Sequence, residues 1–365
     1  MQVNLLGLAT ALPPNVLPQS IVLDNARRIL GPRYAQFERM VPAFANSGVE
    51  KRHSVETLDW FQTPKSWVER NESYLRGAER LFVEAATRAL TDAGLPAQEI
   101  DAVVTVSSTG IATPTLEARA SAELGFRTDV RRVPLFGLGC AGGVTGLAMA
   151  RTLAAARPGS RVLVVAVECC TLSFREDRLQ KADIIATVLF GDGAAAAIVS
   201  TDAPAPDRPQ VALDPGEEHT WPDTLPIMGW DVDDHGLGVV FDRSIPGFAA
   251  EHFRAAADSC LARSGLMVAD LDRPVCHPGG TKVLEALEDC LDLAPGALDH
   301  ERAVLREAGN MSAPTVLFVL EKALDAGFTG QTALCALGPG FTASFVPATV
   351  VPARIDATRD VAEHA

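Results

Sequence analysis

The chain has 365 residues, of which 47% are hydrophobic, 21% charged and 6% aromatic. This apolar fraction excludes an intrinsically disordered chain, and the length excludes a small disulfide scaffold while accommodating one large or two ordinary domains. With 32 basic against 46 acidic residues the formal net charge is −14, so nucleic acid is not expected as a partner and any anionic substrate requires a local patch of Lys and Arg.

The N-terminus and the cysteines indicate a reduced, cytoplasmic protein. The first residues, MQVNLLGLATALPP, lack the basic segment and the cleavage site of a signal peptide. The seven cysteines are an odd number without a C-x-x-C pair or a Cys/His cluster of zinc spacing, so we expect no structural metal. Residues 133–150 carry no charge and approach membrane-spanning length. Their five glycines and one proline favour a strand, a turn and a buried helix instead.

Periodicity in the first half predicts alternating helices and strands. Helical spacing covers 78–93 and 116–124, and apolar runs predict strands over 102–106 and 161–167. A buried helix is expected after Cys140. Uninterrupted Val, Ile and Leu runs are typical of strands covered on both faces, so the pattern favours α/β layers.

The chain is predicted to contain two similar halves. Residues 200–210, STDAPAPDRPQ, form a proline-rich connection. Residues 93–104 align with 264–275 at an offset of 171, and the segment from Gly139 aligns with the segment from Gly309 at an offset of 170. We therefore expect a tandem duplication, with one half over 1–200 and the other over 211–365.

Three residues are candidates for acyl-transfer chemistry. Cys140 lies where a strand turns into the buried helix, and the positive end of a helix dipole favours a thiolate; a small buried hydrophobe is the alternative. His277 also follows an apolar strand, and it is either a proton shuttle or an inert loop residue. Asn310 is the repeat counterpart of Cys140 and is either a helix N-cap or an oxyanion donor. Pseudo-twofold symmetry would bring Cys140 and Asn310 to one central cavity.

Five motifs in this order resemble the type III polyketide synthases of the chalcone synthase superfamily. They are GLGCAGG around Cys140, LFGDGAAA at 189–196, HPGG at 277–280, GNMS at 309–312 and GPG at 338–340. The resemblance covers nearly the whole chain. It implies an α/β thiolase fold with duplicated βαβαβ-type halves in a five-layer α-β-α-β-α arrangement, and a homodimer.

The same resemblance assigns roles to individual residues. Cys140 is implied to carry the acyl chain, and His277 and Asn310 to bind the thioester carbonyl and assist malonyl decarboxylation. Lys51 and Arg52 are candidates for contacts with the CoA phosphates, with a solvated charge pair as the alternative. Substrate contacts are expected from a gatekeeper Phe190, a second gate at Val239 where the family has Phe, the cavity residues Cys170, Ser173 and Ser312, the interface residue Thr113, and Gly338 and Gly340.

The implied reaction loads an acyl-CoA starter, extends it with malonyl-CoA by decarboxylative Claisen condensation and cyclises the product, without a metal, a flavin or another cofactor. The segment 228–248 resembles bacterial enzymes that make alkylresorcinols and alkylpyrones from fatty acyl starters, and small residues at 170, 173 and 239 agree with an alkyl chain. Aromatic or short starters are the alternative within the family. Two rivals lie outside it: a ketoacyl synthase that uses a carrier protein, and a non-catalytic thiolase-fold partner.

Overall fold

The computed structural model describes residues 1–353. Its strands are β1 (Val3–Ala11), β2 (Asn15–Pro18), β3 (Lys51–Ser54), β4 (Ala102–Val106), β5 (Arg131–Leu135), β6 (Val162–Cys169), β7 (Asp192–Ser200), β8 (Gln210–Leu213), β9 (Glu217–Thr220), β10 (Met228–Asp233), β11 (Gly236–Phe241), β12 (Arg273–Cys276), β13 (Gly330–Gly338) and β14 (Thr342–Val351). Its α-helices are α1 (Gln19–Leu30), α2 (Phe37–Ala45), α3 (Trp67–Ala93), α4 (Leu116–Leu124), α5 (Gly142–Ala156), α6 (Lys181–Leu189), α7 (Ile245–Leu261), α8 (Thr281–Cys290), α9 (Asp299–Ala308) and α10 (Thr315–Asp325).

The strand pairing repeats between the two halves, as the duplication predicts. In the first half β1 is antiparallel to β7, β7 is antiparallel to β6, and β6 is parallel to β4. In the second half β8 is antiparallel to β14, β14 is antiparallel to β13, and β13 is parallel to β12. The two series meet where β1 pairs with β8, and β5 extends the first series at the opposite edge.

Alternating side chains of the two half-sheets face different helix layers. Val164 of β6 and Leu334 of β13 share one core with α5 and α10, whereas Leu163 packs under α3 and Ala333 packs under α7 and α8. The period of two along each strand places successive residues on opposite faces. The layers are therefore helices, half-sheet, the α5 and α10 pair, half-sheet and helices, which is the expected five-layer thiolase fold.

Helix α3 begins earlier than its periodicity predicts. The predicted helix covers 78–93, and the observed one starts at Trp67 behind a capping box in which Ser66 and Glu69 satisfy each other's backbone N–H groups. The first turns bury Arg70 and Ser73 beside Tyr74, so the buried face there is largely polar and carries no apolar stripe. The end is as predicted, since Gly94 takes up a left-handed conformation with φ of 65°.

The uncharged segment 133–150 forms the end of β5, a short 3-10 helix over Gly139–Ala141 and the start of α5. Within residues 1–353 no helix has both the length and the apolar character needed to cross a membrane. The proline-rich connection lies between β7 and β8. The predicted division into 1–200 and 211–365 stays a prediction, and residues 354–365 lie outside the described part.

A two-stranded hairpin, β10 and β11, covers the central cavity from one side. The buried guanidinium of Arg175 is 2.9 Å from the carboxylate of Asp233, and Arg178 is 3.0 Å from Asp231. Both ion pairs tie the hairpin to the segment between β6 and α6. This attachment positions Met228 and Phe241, which pair with each other at the open end of the hairpin.

Candidate active site

Cys140 lies in the short 3-10 helix that leads from β5 into α5. Glycines on both sides allow the close approach this turn needs: a Cβ added at Gly143 would lie 2.1 Å from the carbonyl oxygen of Ala313, and one at Gly338 would lie 2.6 Å from the Cβ of Ala141. Burial raises the pKa of the Cys140 thiol to about 11, and hydrogen bonds with Ser312 and Asn310 act in the opposite direction. The helix terminus therefore does not by itself make Cys140 a thiolate.

His277 is the first residue after β12. Its backbone N–H donates to the carbonyl of Cys335 at 2.8 Å, which continues the pairing with β13. Its imidazole is buried, and within the described residues neither ring nitrogen has a hydrogen-bond partner. Burial lowers the pKa of His277 to about 3, so the resting imidazole is neutral and has both nitrogens available.

Asn310 lies in the connection between α9 and α10. Its Oδ1 accepts from the backbone N–H of Ser312 at 2.8 Å and lies 4.0 Å from the sulfur of Cys140. Its Nδ2 donates to the carbonyl of Gly279 at 3.2 Å. An amide nitrogen carries two hydrogens, so one N–H of Asn310 remains free to donate to a substrate oxygen.

These three side chains line one cavity of about 20 Å³, together with Met228 and Phe241. That volume holds about one water molecule. Cys140 comes from one half and His277 and Asn310 from the other, so the expectation that the repeat brings the thiol and the amide together is met in the fold. A thiol, a neutral imidazole and an amide donor around one small apolar cavity suit acyl transfer.

The second gate predicted at Val239 stays a prediction, and Phe241, two residues further along β11, is the aromatic side chain that lines the catalytic cavity. The rings of Phe190 and Phe241 meet edge to face with 6.5 Å between centroids, beside the catalytic cavity. Val239 pairs with Trp230 inside the hairpin and does not line that cavity. The two residues lie on the same face of β11, because successive side chains of a strand alternate.

Cys170 and Ser173 lie around a second, apolar pocket of about 50 Å³ that Phe190 also lines. The hydroxyl of Ser173 donates to the carbonyl of Cys170 at 2.7 Å. Apolar side chains from α1, α6 and neighbouring loops make up most of the remaining wall, including Val22, Ala26, Phe61, Phe174 and Ala186, and Arg52 also lines it. Phe190 therefore lines this pocket on one side and contacts the ring of Phe241 on the other.

The remaining predicted contacts fall in different places. Ser312 has a left-handed backbone with φ of 61° and hydrogen-bonds with Cys140. Gly338 and Gly340 form the β13–β14 turn, where Gly338 packs on the Cys140 loop. Thr113 is exposed at the surface and lies outside the cavity of its own chain. Its predicted reach into a partner's cavity stays a prediction.

The structure contradicts the predicted contact between Arg52 and the CoA phosphates. The side chain of Arg52 is 2% exposed, and its guanidinium donates to main-chain carbonyls of the interior. Lys51 is exposed on β3 but lies outside the large groove that leads to the cavity. That groove has a volume of about 620 Å³ and shares Phe241, Gly279 and Val283 with the catalytic cavity.

Four exposed cations line this groove: Arg39, Lys181, Arg243 and Lys282. Within residues 1–353 none of the four forms a salt bridge, and Asp242 is the acidic residue of the lining. The four cations are spread over more than 240 positions of the sequence, so no local motif predicts that they lie together. In a chain of net charge −14 this is the kind of local basic patch that an anionic substrate requires.

Glu168 is a buried carboxylate near the thiol that the sequence analysis did not single out. It is the next-to-last residue of β6 and accepts from the backbone N–H of Ser108 at 2.9 Å and from the hydroxyl of Thr109 at 2.7 Å. Burial raises its pKa to about 8, and its charge contributes to the raised pKa of Cys140. The sequence does contain a signal for this buried carboxylate, because Glu168 is the one charged residue in the apolar run VLVVAVECC.

Two family models match the chain. The model described as chalcone and stilbene synthases, N-terminal domain, matches residues 2–203, and the corresponding C-terminal domain matches residues 216–351. The chain belongs to the chalcone and stilbene synthase family. It is accordingly a type III polyketide synthase, a CoA-dependent, decarboxylating condensing enzyme of the acyltransferase type.

Relatives of this polyketide synthase include two bacterial proteins. A 1,3,6,8-tetrahydroxynaphthalene synthase of Streptomyces peucetius subsp. caesius is 37% identical over 346 residues, covering 92% of this chain and 90% of the relative. A putative chalcone synthase of Bacillus subtilis (strain 168) is 31% identical over 354 residues, covering 94% and 97%. The crystal structure of 1,3,6,8-tetrahydroxynaphthalene synthase from Streptomyces coelicolor A3(2) superimposes with a TM-score of 0.89 at 29% identity, covering 95% and 99%.

Proposed function

We propose that this synthase loads a fatty acyl group from CoA onto Cys140, extends it with malonyl-CoA and cyclises the chain to an alkylpyrone or alkylresorcinol. The observation that carries the chemistry is the convergence of Cys140, His277 and Asn310 on one cavity. The apolar pocket beyond Phe190 supports the choice of starter.

In the loading step the Cys140 sulfur forms a bond to the acyl carbonyl carbon, and the bond from that carbon to the CoA sulfur breaks. His277 takes the thiol proton and returns a proton to the departing CoA thiolate. Burial makes each ion costly alone, since it raises the pKa of Cys140 and lowers that of His277. Proton transfer between them creates both charges side by side, where their attraction offsets that cost.

In the extension step the bond between the malonyl α-carbon and its carboxylate breaks and CO2 leaves. The electron pair moves to the thioester oxygen, and the N–H groups of His277 and Asn310 donate to the resulting enolate. Each such donor supplies about 3–4 kcal/mol in comparable oxyanion sites. The enolate carbon then attacks the thioester on Cys140, which returns the cysteine as leaving group.

The groove supports the binding of CoA in place of the predicted Lys51 and Arg52 contacts. The phosphates of CoA are anionic, and Arg39, Lys181, Arg243 and Lys282 offer four exposed cations at the groove wall. The groove residues Gly279 and Val283 also line the catalytic cavity, so a pantetheine arm entering from the cations reaches Cys140 along a short path.

The relatives favour a second candidate, in which malonyl-CoA serves as both starter and extender and the product is a polyhydroxynaphthalene. Three Streptomyces relatives carry the name 1,3,6,8-tetrahydroxynaphthalene synthase. Against this, the walls of the second pocket are largely apolar and suit an alkyl chain better than a poly-β-keto chain rich in carbonyl groups.

One assay separates the two candidates. The purified full chain is incubated with 14C-malonyl-CoA alone, and with acyl-CoAs from C2 to C18 and aromatic acyl-CoAs, and the products are resolved by mass. Alkylated pyrones or resorcinols from long starters support the first proposal, whereas a naphthalene product from malonyl-CoA alone supports the second. Ser173→Phe should remove long-starter products by filling the pocket, and Ser20→Phe, on the exposed surface of α1, should not.

We also propose that the synthase is a cytoplasmic homodimer. The seven cysteines are all free, including Cys290 and six buried thiols, as in a reducing compartment. Strand β5 is a sheet edge, and Ile111 and Phe136 beside it are 49% and 57% exposed. An unpaired edge with exposed apolar side chains is a natural surface for a second copy, and it lies next to Thr113.

A further inference from the structure

Arg52 is a fully desolvated cation at the end of a helix. It lies on β3, and its guanidinium donates to the carbonyls of Thr187 at 2.6 Å, Val188 at 2.7 Å and Phe190 at 3.0 Å. These carbonyls belong to the last turn of α6 and to its C-cap residue Phe190, where the acceptors have no partner within the helix. A cation at this position satisfies them and complements the helix dipole.

Gln19 completes the arrangement. Its Oε1 accepts from the second guanidinium nitrogen of Arg52, and its Nε2 donates to the carbonyl of Val188 at 3.0 Å and to the hydroxyl of Ser47 at 3.1 Å. The two side chains therefore hold the same helix end from adjacent directions. A planar guanidinium fork reaches several acceptors at once, which a single ammonium group does not.

The charge of Asp192 raises the pKa of Arg52 and partly offsets the larger effect of burial, which lowers that pKa to about 9, but the carboxylate directs its hydrogen bonds elsewhere. Asp192 accepts from the backbone N–H and the hydroxyl of Thr171, both at 2.7 Å, and from the backbone N–H of Val55 at 2.8 Å. Within residues 1–353 no hydrogen bond or salt bridge joins Asp192 to Arg52. The hydrogen bonds of Arg52 therefore go to the end of α6 and to Gln19.

This helix end is also the backbone that holds the catalytic amide. The N–H of Asn310 donates to the carbonyl of Leu189 at 2.8 Å, and the N–H of Gly191 donates to the carbonyl of Asn310 at 3.0 Å. The approach is close, since a Cβ added at Gly309 would lie 2.7 Å from the carbonyl oxygen of Leu189. A shift of the last turn of α6 therefore moves both the gate ring of Phe190 and the main chain of Asn310.

We infer that Arg52 is a positioning residue for the condensation: by fixing the end of α6 it sets the gate ring of Phe190 and the amide of Asn310. The inference rests on the roles proposed above for Phe190 and Asn310. It assigns to Arg52 a function inside the enzyme in place of the predicted contact with CoA phosphates.

The test compares Arg52→Lys with Arg70→Lys, a matched change at another buried arginine, which lies on α3 and donates to the carbonyl of Lys65. Release of 14CO2 from malonyl-CoA reports on Asn310, and the distribution of acyl starters reports on Phe190. We expect decarboxylation to fall about tenfold in Arg52→Lys and less than twofold in Arg70→Lys, since only the first change removes hydrogen bonds to the backbone that holds Phe190 and Asn310. Equal rates in the wild type and Arg52→Lys would overturn the inference.

A double-mutant cycle separates positioning from general destabilisation. Arg52→Lys should shift the preferred starter length in the wild-type background and leave it unchanged in the Phe190→Ala background. An equal shift in both backgrounds would show that Arg52 does not act through Phe190. If Arg52→Lys does not fold, Gln19→Met serves instead, with an expected threefold loss of decarboxylation; an unchanged rate in that variant overturns the inference.

The activity of the wild type shows whether a negative result contradicts the proposed function or only the inference on Arg52. A wild-type chain that releases no CO2 from malonyl-CoA contradicts the roles of His277 and Asn310, and the inference on Arg52 falls with them. A wild-type chain that decarboxylates malonyl-CoA while Arg52→Lys matches it contradicts the inference on Arg52 alone.

Discussion

Replacing His277 tests how the nucleophile is activated. If Cys140 ionises only by passing its proton to His277, His277→Gln leaves a lone buried thiol whose pKa is about 11, against an ordinary value of 9.0. At pH 8 that difference lowers the thiolate fraction about a hundredfold, since each pH unit is a factor of ten. Because the thiolate is the reactive form, alkylation should slow by the same factor relative to an ordinary cysteine.

The assay is alkylation by iodoacetamide between pH 6 and 11, followed by peptide mass mapping of Cys140. We expect the rate for His277→Gln to rise about tenfold per pH unit up to about pH 10, and the wild-type rate to level off at a lower pH. A Cys140→Ser variant identifies labelling of Cys169 and Cys170, whose thiols are also buried. The same pH midpoint in the wild type and His277→Gln would refute joint ionisation.

Three further predictions follow from the gate, the groove and the sheet edge. Phe241→Ala should open the gate and broaden the starters that are converted, as seen in product mass profiles, whereas Val239→Ala should leave the profile unchanged. Arg243→Ala and Lys282→Ala should each raise the KM for malonyl-CoA about threefold with little change in kcat, and more weakly at high salt, while Lys51→Ala serves as the control. Light scattering should give a mass twice the 38.6 kDa of the chain, and a mass near 38.6 kDa at micromolar concentration would contradict the dimer.

The sequence predicts what depends on local pattern and on the repeat. Strand β4 and helix α4 have the predicted bounds because their apolar spacing is regular and their ends are marked by Thr115 and Gly125. The meeting of Cys140 and Asn310 follows from the duplication, since equivalent positions of two like halves approach a common axis. The spacing, the end signals and the repeated segments can each be recognised in a short stretch of the sequence.

Other features depend on contacts between segments that are distant in the sequence, and local patterns do not predict them. Arg52 and Lys51 look alike in the sequence, and only the position of α6 decides that one is buried and the other exposed. The edge-to-face contact between Phe190 and Phe241 joins residues 51 positions apart, and no local pattern predicts it. The four groove cations come from three helices and one loop that are distant in the sequence, so their convergence is a property of the fold alone.

The tight contact between the helices that follow the two catalytic loops has an evolutionary consequence. Where Gly143 meets the carbonyl of Ala313 there is no room for a methyl group, so the loops carrying the thiol and the amide are locked in register. Mutations that slide one half against the other would separate them and be eliminated by selection. New products in such a scaffold therefore arise by exchanging side chains at the gate and in the adjoining pocket, while the backbone around the nucleophile stays constant.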